Sequence, residues 1–170
     1  MLSYRLATEP SRHRVAVWRE LRRAGAVSLQ QGIWAIPPGE AFDDAIGRAV
    51  SLIERGEGDA FVFDVAPSDP TLARLEELFT AEREAEWAEF VAECGKFDAE
   101  IDREIATQKF TLAELDEEEQ NLDRLKRWYR ELRVRDLFDA PTAPLAERRL
   151  KECEERLEDF AERVFEARER

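Results

Sequence analysis

The chain has few of the residues from which metal sites and redox centres are built. Its 170 residues include one histidine and two cysteines, and Cys94 and Cys153 stand far apart with no Cys-x-x-Cys or Cys/His spacing. This pattern excludes a zinc knuckle and a disulfide framework. We therefore predict no bound metal and no cofactor, and we expect both cysteines to be small core-facing residues of helices.

Long apolar runs and catalytic motifs are also missing. No stretch approaches the about 18 apolar residues that a transmembrane helix needs, and the first residues lack the apolar segment of a secretory signal. The chain has no G-x-S-x-G, P-loop or G-x-G-x-x-G motif, and His13 has no Ser or Cys that it could serve as a base. We expect a cytoplasmic protein with no membrane partner, no catalytic residue and no enzymatic activity.

Charge is plentiful but unevenly distributed. The net charge is -13, which argues against a general nucleic-acid binder. Residues 1–66 carry eight Lys or Arg against nine Asp or Glu, whereas residues 67–170 carry 18 against 30. The acidic excess therefore belongs to the second part, and a local basic surface remains compatible with the first.

Periodicity predicts a sheet with helices in residues 1–66. The predicted elements are a strand at 2–6, a helix from Thr8 to Gly25, strands at 26–29 and 33–36 turning at Gly32, a helix at 42–53 and a buried strand at 60–66. The apolar face of the first helix is predicted at Val15, Trp18, Leu21 and Ala24. The order βαββαβ is that of a ferredoxin-like domain, whose second sheet face needs a cover or a partner.

The spacing of apolar residues in residues 67–170 predicts long helices. A first apolar seam runs from Leu72 to Ile105, and Thr111 with Glu114 matches a capping box that opens a second helix. A connection at 139–144, which contains proline, leads to a third seam from Leu150 to Val164. We predict an α+β chain with two domains, a ferredoxin-like one at 1–66 and an acidic bundle of about three long helices at 67–170.

The first helix carries the densest positive charge. Guanidinium groups stay charged and present a fork of donors to phosphate or another oxyanion, although a solvated helix face is the simpler alternative. The candidate residues for DNA or ligand binding are Arg12, Arg14, Arg19, Arg22 and Arg23.

Carboxylates dominate the predicted helices of the second part. Glu86, Glu93 and Glu100 are spaced seven residues apart, and residues 116–119 form a run of four acids. A helical di-iron site needs Glu-x-x-His elements, which are absent, so a solvated face is the favoured interpretation over a metal site or an enzyme. An acidic helix face can also dock another protein.

Short motifs lie along most of the chain. They are Glu9-Pro-Ser, Arg14-Val, Trp18-Arg, Gly25-Ala, Leu29-Gln-Gln-Gly-Ile-Trp with Pro37, Glu93 through Phe97, Phe110 to Leu115, Trp128, and Arg135-Asp-Leu-Phe-Asp-Ala. These motifs resemble those of the N-terminal domain of the chromate-resistance regulator ChrB. The segment GAVSLQQGIW is also similar to part of PaaX-type repressors, whose central domain resembles the ferredoxin-like fold of Cas2 nucleases. Those nucleases place a metal-binding Asp at the end of the first strand, where this chain has Leu6, so nuclease activity is not carried over.

The resemblance implies a bacterial transcriptional regulator of chromate efflux. We expect a non-enzymatic homodimer whose arginine helix contacts DNA phosphates or an oxyanion such as chromate. The alternative is an interaction module whose acidic helices dock a protein partner, such as a separate sensing domain.

Overall fold

The structure, a computed structural model, describes residues 1–169 apart from the side chain of Ala41. This part of the chain combines one four-stranded antiparallel sheet with five helices. The chain divides into two compact units, Met1–Glu82 and Arg83–Arg170. The division falls inside a helix rather than at residue 66, so the domain boundary between 1–66 and 67–170 stays a prediction.

The first unit contains the whole sheet. Its elements are β1 (Leu2–Arg5), α1 (Ser11–Ala24), β2 (Val27–Gln30), β3 (Ile33–Ala35), α2 (Glu40–Arg55) and β4 (Asp59–Val62). The strands lie in the order β2-β3-β1-β4, and each neighbouring pair is antiparallel. In the register of this sheet, Leu2 of β1 stands opposite Trp34 of β3 and Val62 of β4.

A small apolar core joins α1 and α2 to the sheet. Residues directly opposite each other on neighbouring strands share a face, so Leu2 and Trp34 lie together, and their burial with Val17 and Ala49 places them on the helix side of the sheet. The buried members of this core are Leu2, Val17, Leu21, Ala26, Trp34, Ala49 and Ile53.

The start and the apolar face of α1 differ from the prediction. The helix begins at Ser11, with Pro10 at its N-cap, so the predicted start at Thr8 is wrong. Val17 and Leu21 are buried, whereas Val15 is 40% and Trp18 is 50% exposed. The predicted end is confirmed, because Gly25 takes a φ of 83° and donates its N–H to Arg22.

The last strand was predicted to be largely buried, and this is also wrong. Phe61 is 60% and Phe63 is 46% exposed, and Val62 and Val65 are exposed as well. The two phenyl rings stack with centroids 6.5 Å apart. β4 is an edge strand, paired on one side only with β1, so burial of this apolar run is incomplete.

Long helices make up the rest of the described chain. They are α3 (Asp69–Ala106), α4 (Leu112–Arg135) and α5 (Ala143–Glu169). The predicted cap of α4 is confirmed, because the Thr111 side chain accepts a hydrogen bond of 3.3 Å from the N–H of Glu114. In the second unit, Glu84 of α3 holds the residue that precedes α5. Its carboxylate accepts hydrogen bonds from both the N–H and the hydroxyl of Thr142 at 2.7 Å.

The core of the second unit draws on all three of these helices. Its largest buried side chains include Trp87 and Phe90 of α3, Leu132 of α4 and Phe160 of α5. The indole N–H of Trp87 donates to the buried Asp136 at 2.9 Å, and Asp136 also accepts the N–H of Ala140. The core therefore encloses a polar group whose donors come from α3 and from the connection between α4 and α5.

Both cysteines lie inside this core, as predicted. Cys94 of α3 and Cys153 of α5 are free and fully buried, and the Cys153 thiol lies 3.7 Å from the carbonyl oxygen of Cys94. The contact with Cys94, reinforced by burial, holds the pKa of the Cys153 thiol well above its usual range. Cys153 is therefore a protonated, unreactive thiol in the folded protein.

No helix within residues 1–169 combines the length and the apolar character needed to cross a membrane.

Candidate anion interface on helix α1

Helix α1 is held in place by a few apolar anchors and by the way it ends. Val17 and Leu21 pack into the core against the sheet and α2. At the C-terminus, Ala26 donates its N–H to Leu21 at 3.0 Å, which together with Gly25 satisfies carbonyls that the helix leaves open. The arginines of α1 therefore project from a helix whose rotation about its axis is set by the core.

This rotation divides the five predicted binding residues into two sets. Arg12, Arg19 and Arg23 are spaced seven and four residues apart, so they share one face, and all three are exposed. We call them the outer arginine stripe. Arg14 and Arg22 lie on another side of the helix and are partly buried. The structure does not bring the five predicted residues into a single site.

One buried acid, Glu20, partly neutralises the positive charge of the outer arginine stripe. Glu20 is 9% exposed and accepts hydrogen bonds from Arg23 at 2.7 Å and from Arg48 of α2 at 2.6 Å. Burial alone raises the pKa of Glu20, but the hydrogen bonds from Arg48 and Arg23 outweigh it and hold the pKa below its usual range. Glu20 is thus a carboxylate that ties α1 to α2.

Arg22 is engaged within its own unit. Its guanidinium forms an ion pair with Glu82 and lies 5.8 Å from the centroid of the Trp18 ring. An anion bound by Arg22, as predicted, would therefore compete with Glu82 and Trp18 for the guanidinium. The Arg22 side chain also supports the exposed indole of Trp18.

Arg14 lines an open cavity, which we call the Arg14 groove. It has a volume of about 660 Å³ and lies where β1 ends, α1 begins and the β2–β3 turn approaches. The lining residues are Tyr4, Arg5, Leu6, Ser11, Arg14, Val15, Trp18, Gln31 and Gly32. Sequence reasoning missed this groove because it assigned Val15 and Trp18 to the core.

Polar groups of the Arg14 groove are only partly engaged. The Nε atom of Arg14 is buried, and within the described part of the chain it has no hydrogen-bond partner. Burial raises the pKa of the Tyr4 phenol, so Tyr4 remains a neutral donor. Arg5 at the rim pairs with Asp59 at 3.1 Å, and its side chain is almost fully exposed. None of the described residues that line the groove is acidic, and Arg14 is its main source of positive potential.

Part of the predicted acidic face of the second unit lies along a smaller groove of about 340 Å³ between α3 and α4, whereas Glu86 lies outside it and pairs with Arg83. Glu93, Glu100, Glu117 and Glu118 line it together with Lys96 and Arg124. Glu118 is 1% exposed, and burial raises its pKa, while Asn121 donates to it at 3.3 Å. Among the described residues, no group of three or more His, Cys, Asp or Glu is arranged to hold a metal ion.

Comparison with known families gives one match. A family model described as "Protein ChrB, N-terminal" matches residues 14–170. This confirms the resemblance found in the sequence motifs. Comparisons with curated proteins and with solved structures gave no match.

Proposed function

Because the chain belongs to the ChrB N-terminal family, which is associated with chromate resistance, we propose that it is a non-enzymatic regulator that contacts DNA phosphates through α1. The observation that supports this role is the outer arginine stripe. Arg12, Arg19 and Arg23 share one exposed face of α1. They lie within residues 1–66, where acidic and basic residues are nearly balanced. Phosphate contacts of this kind position a protein on a duplex without reading its sequence.

The geometry of the stripe suits a row of charged groups. With a rise of about 1.5 Å per residue, its arginines stand about 10 Å and about 6 Å apart along the helix axis. Each guanidinium offers a planar fork of donors that matches a phosphate. Because the whole chain is strongly negative, binding depends on this local surface rather than on the net charge.

The DNA contact predicts a steep and variant-specific dependence on salt. We expect the protein to bind its own promoter region at low salt, and the triple variant Arg12→Gln/Arg19→Gln/Arg23→Gln to bind at least about tenfold more weakly. The slope of log K against log salt should fall by about 0.9 for each phosphate contact removed. Fluorescence anisotropy over a range of salt concentrations measures both quantities.

Arg55→Gln is the matched control, because Arg55 is an exposed arginine of α2 that donates to Ser51 of its own helix. It should leave both affinity and slope unchanged. Absence of binding by the wild type at low salt, or equal binding by the triple variant, contradicts the DNA role. Chromate added as a competitor tests the other proposed ligand of these arginines, since an oxyanion bound to the stripe displaces the DNA.

We also propose the finer fold assignments, a ferredoxin-like domain followed by a three-helix bundle. The strand order β2-β3-β1-β4, with helices after β1 and β3, supports the first. A core shared by the Arg83–Ala106 part of α3 with α4 and α5 supports the second.

Homodimerisation through β4 is part of the same proposal. Phe61 stands opposite Ser3 in the sheet register, so it lies on the face opposite Leu2 and the helices. An exposed edge strand with apolar side chains is a template for pairing with another strand. A second copy pairing through a two-fold axis places the same residues on both sides of the contact.

Charge insertion on β4 tests this dimer. We expect Phe61→Asp to convert a dimer into a monomer in sedimentation velocity measurements, because it places carboxylates across the shared edge. Leu29→Asp is the control, since Leu29 is exposed on β2 at the opposite edge of the sheet. A wild type that sediments as a monomer at micromolar concentrations, or a dimer that is lost only in Leu29→Asp, overturns the proposal.

A further inference from the structure

We propose that the Arg14 groove binds a planar heteroaromatic ligand that carries an anionic group, the chemistry of a nucleoside monophosphate. This site is separate from the outer arginine stripe. The lining residues come from β1, α1 and the β2–β3 turn, and none of Arg12, Arg19 and Arg23 is among them. The proposal does not depend on DNA binding by the stripe.

The anionic part of the ligand is inferred from Arg14. Its Nε atom is buried without a hydrogen-bond partner, although buried donors are almost always paired in folded proteins. The other arginine of the lining, Arg5, is already paired with Asp59. Because none of the lining residues in the described chain carries a carboxylate, an anion placed there meets the guanidinium of Arg14 without a negative side chain beside it. Charge-assisted hydrogen bonds of this kind are stronger than neutral ones.

The ring is inferred from Trp18. Half of this side chain is exposed, while Trp34 and Trp87 are buried. The guanidinium of Arg22 lies 5.8 Å from the indole centroid, and Arg22 does not line the groove, so it supports Trp18 from outside. Together with the exposed Val15, the indole offers the groove an apolar surface on which a base can stack.

Polar side chains and a glycine complete the groove. The phenol of Tyr4, the hydroxyl of Ser11 and the amide of Gln31 supply both donors and acceptors, which suits ring nitrogens and exocyclic groups better than a plain hydrocarbon ring. Gly32 lets the turn approach closely, since a Cβ there would lie 2.4 Å from the carbonyl oxygen of Tyr4. A volume of about 660 Å³ lies in the usual range for small-ligand sites.

The test is calorimetric titration of the full chain with four probes: AMP, adenosine, inorganic phosphate and a single-stranded tetradeoxyadenylate. We expect saturable binding of AMP, with adenosine and phosphate each at least about tenfold weaker because each lacks one of the two groups. Tighter binding of the tetranucleotide than of AMP also supports the site and identifies a single strand as the source of the ligand. No saturable binding of AMP or the tetranucleotide, or adenosine binding as tight as AMP, overturns the proposal.

Variants connect this binding to the groove. Trp18→Leu, at an exposed position, and Arg14→Gln should each weaken binding of AMP or the tetranucleotide about tenfold or more. Arg19→Gln, on the outer arginine stripe, should leave that binding unchanged. Circular dichroism verifies that each variant is folded, and Arg14→Lys, which keeps the charge, should retain more affinity than Arg14→Gln. Equal affinity of the wild type, Trp18→Leu and Arg14→Gln shows that the ligand binds elsewhere and overturns the assignment.

Discussion

Replacing Gly32 by alanine is expected to destabilise the first unit by about 3 kcal/mol, close to what the strain and clash mechanisms together typically cost. Gly32 has a φ of 75°, where a residue with a Cβ is strained. The added Cβ would also lie 2.4 Å from the carbonyl oxygen of Tyr4, which is backbone and cannot move aside by changing rotamer. Relief of the clash separates the turn from β1 and breaks the hydrogen bond of 2.7 Å from the N–H of Tyr4 to Gly32.

Gly47→Ala is the matched control for this substitution. Gly47 lies inside α2, and a Cβ at this position meets nothing within 4 Å. The same glycine-to-alanine change should therefore stabilise the protein by about 0.5 to 1 kcal/mol through helix propensity. Urea unfolding followed by circular dichroism measures both variants. Equal midpoints for Gly32→Ala and the wild type would show that the turn does not need glycine.

Truncation of Trp87 to alanine should destabilise the second unit by about 3 to 5 kcal/mol. The indole is fully buried and contacts the rings of Phe90 and Tyr129, with centroids 6.0 and 5.4 Å away. Its removal leaves a cavity that the surrounding helices fill only partly. It also removes the indole N–H donor of Asp136, a carboxylate that is 6% exposed and keeps only the N–H of Ala140 among the donors described above. Loss of a hydrogen bond to a buried charged acceptor costs further free energy.

Two variants separate these contributions. Trp87→Phe keeps much of the ring volume but removes the hydrogen bond to Asp136, so we expect it to lose less stability than Trp87→Ala. Val134→Ala, at an exposed position of α4, should change stability by less than about 0.5 kcal/mol. Denaturant unfolding followed by near-ultraviolet circular dichroism reports the packing of the second unit. A loss below about 1 kcal/mol for Trp87→Ala would contradict the structure's account of this core.

Local signals in the sequence predicted the structure well where the chemistry of one or two residues decides it. Gly25 ends α1, Gly32 turns the hairpin, and Thr111 caps α4, because each position demands a special backbone or a side-chain acceptor. The cysteines also lie in helix cores as predicted. These features depend on neighbours along the chain, which the sequence contains directly.

The Arg14 groove could not be predicted in the same way. Leu21, predicted on the apolar face, has apolar residues at helical spacing on two sides, Trp18 three positions before it and Val17 four before it. Periodicity alone cannot choose which of them faces the sheet with Leu21. The structure buries Val17 with Leu21 and leaves Val15 and Trp18 in the groove. Only the position of α1 over β1 decides between them, and that is a tertiary property.

β4 shows a related limit. A run of β-forming apolar residues such as Phe61 to Val65 has the same pattern in a central strand and at the edge of a sheet. Its exposure follows from the strand order, which places β4 beside β1 alone. Buried ionic groups were missed for a different reason. Arg83 stands between Phe79 and Trp87 at helical spacing, on a predicted apolar seam. Glu118 stands likewise between Leu115 and Leu122, and the charge of both residues was interpreted as exposure.

The two buried thiols can report transient opening of the helical core. Cys94 and Cys153 contribute to the core from α3 and α5, and both are fully enclosed. An alkylating reagent or an oxidant reaches them only in molecules whose helices have transiently parted. In a cell under oxidative stress, the lifetime of these thiols is therefore set by how often the helical core opens, and their rate of labelling measures the free energy of that opening.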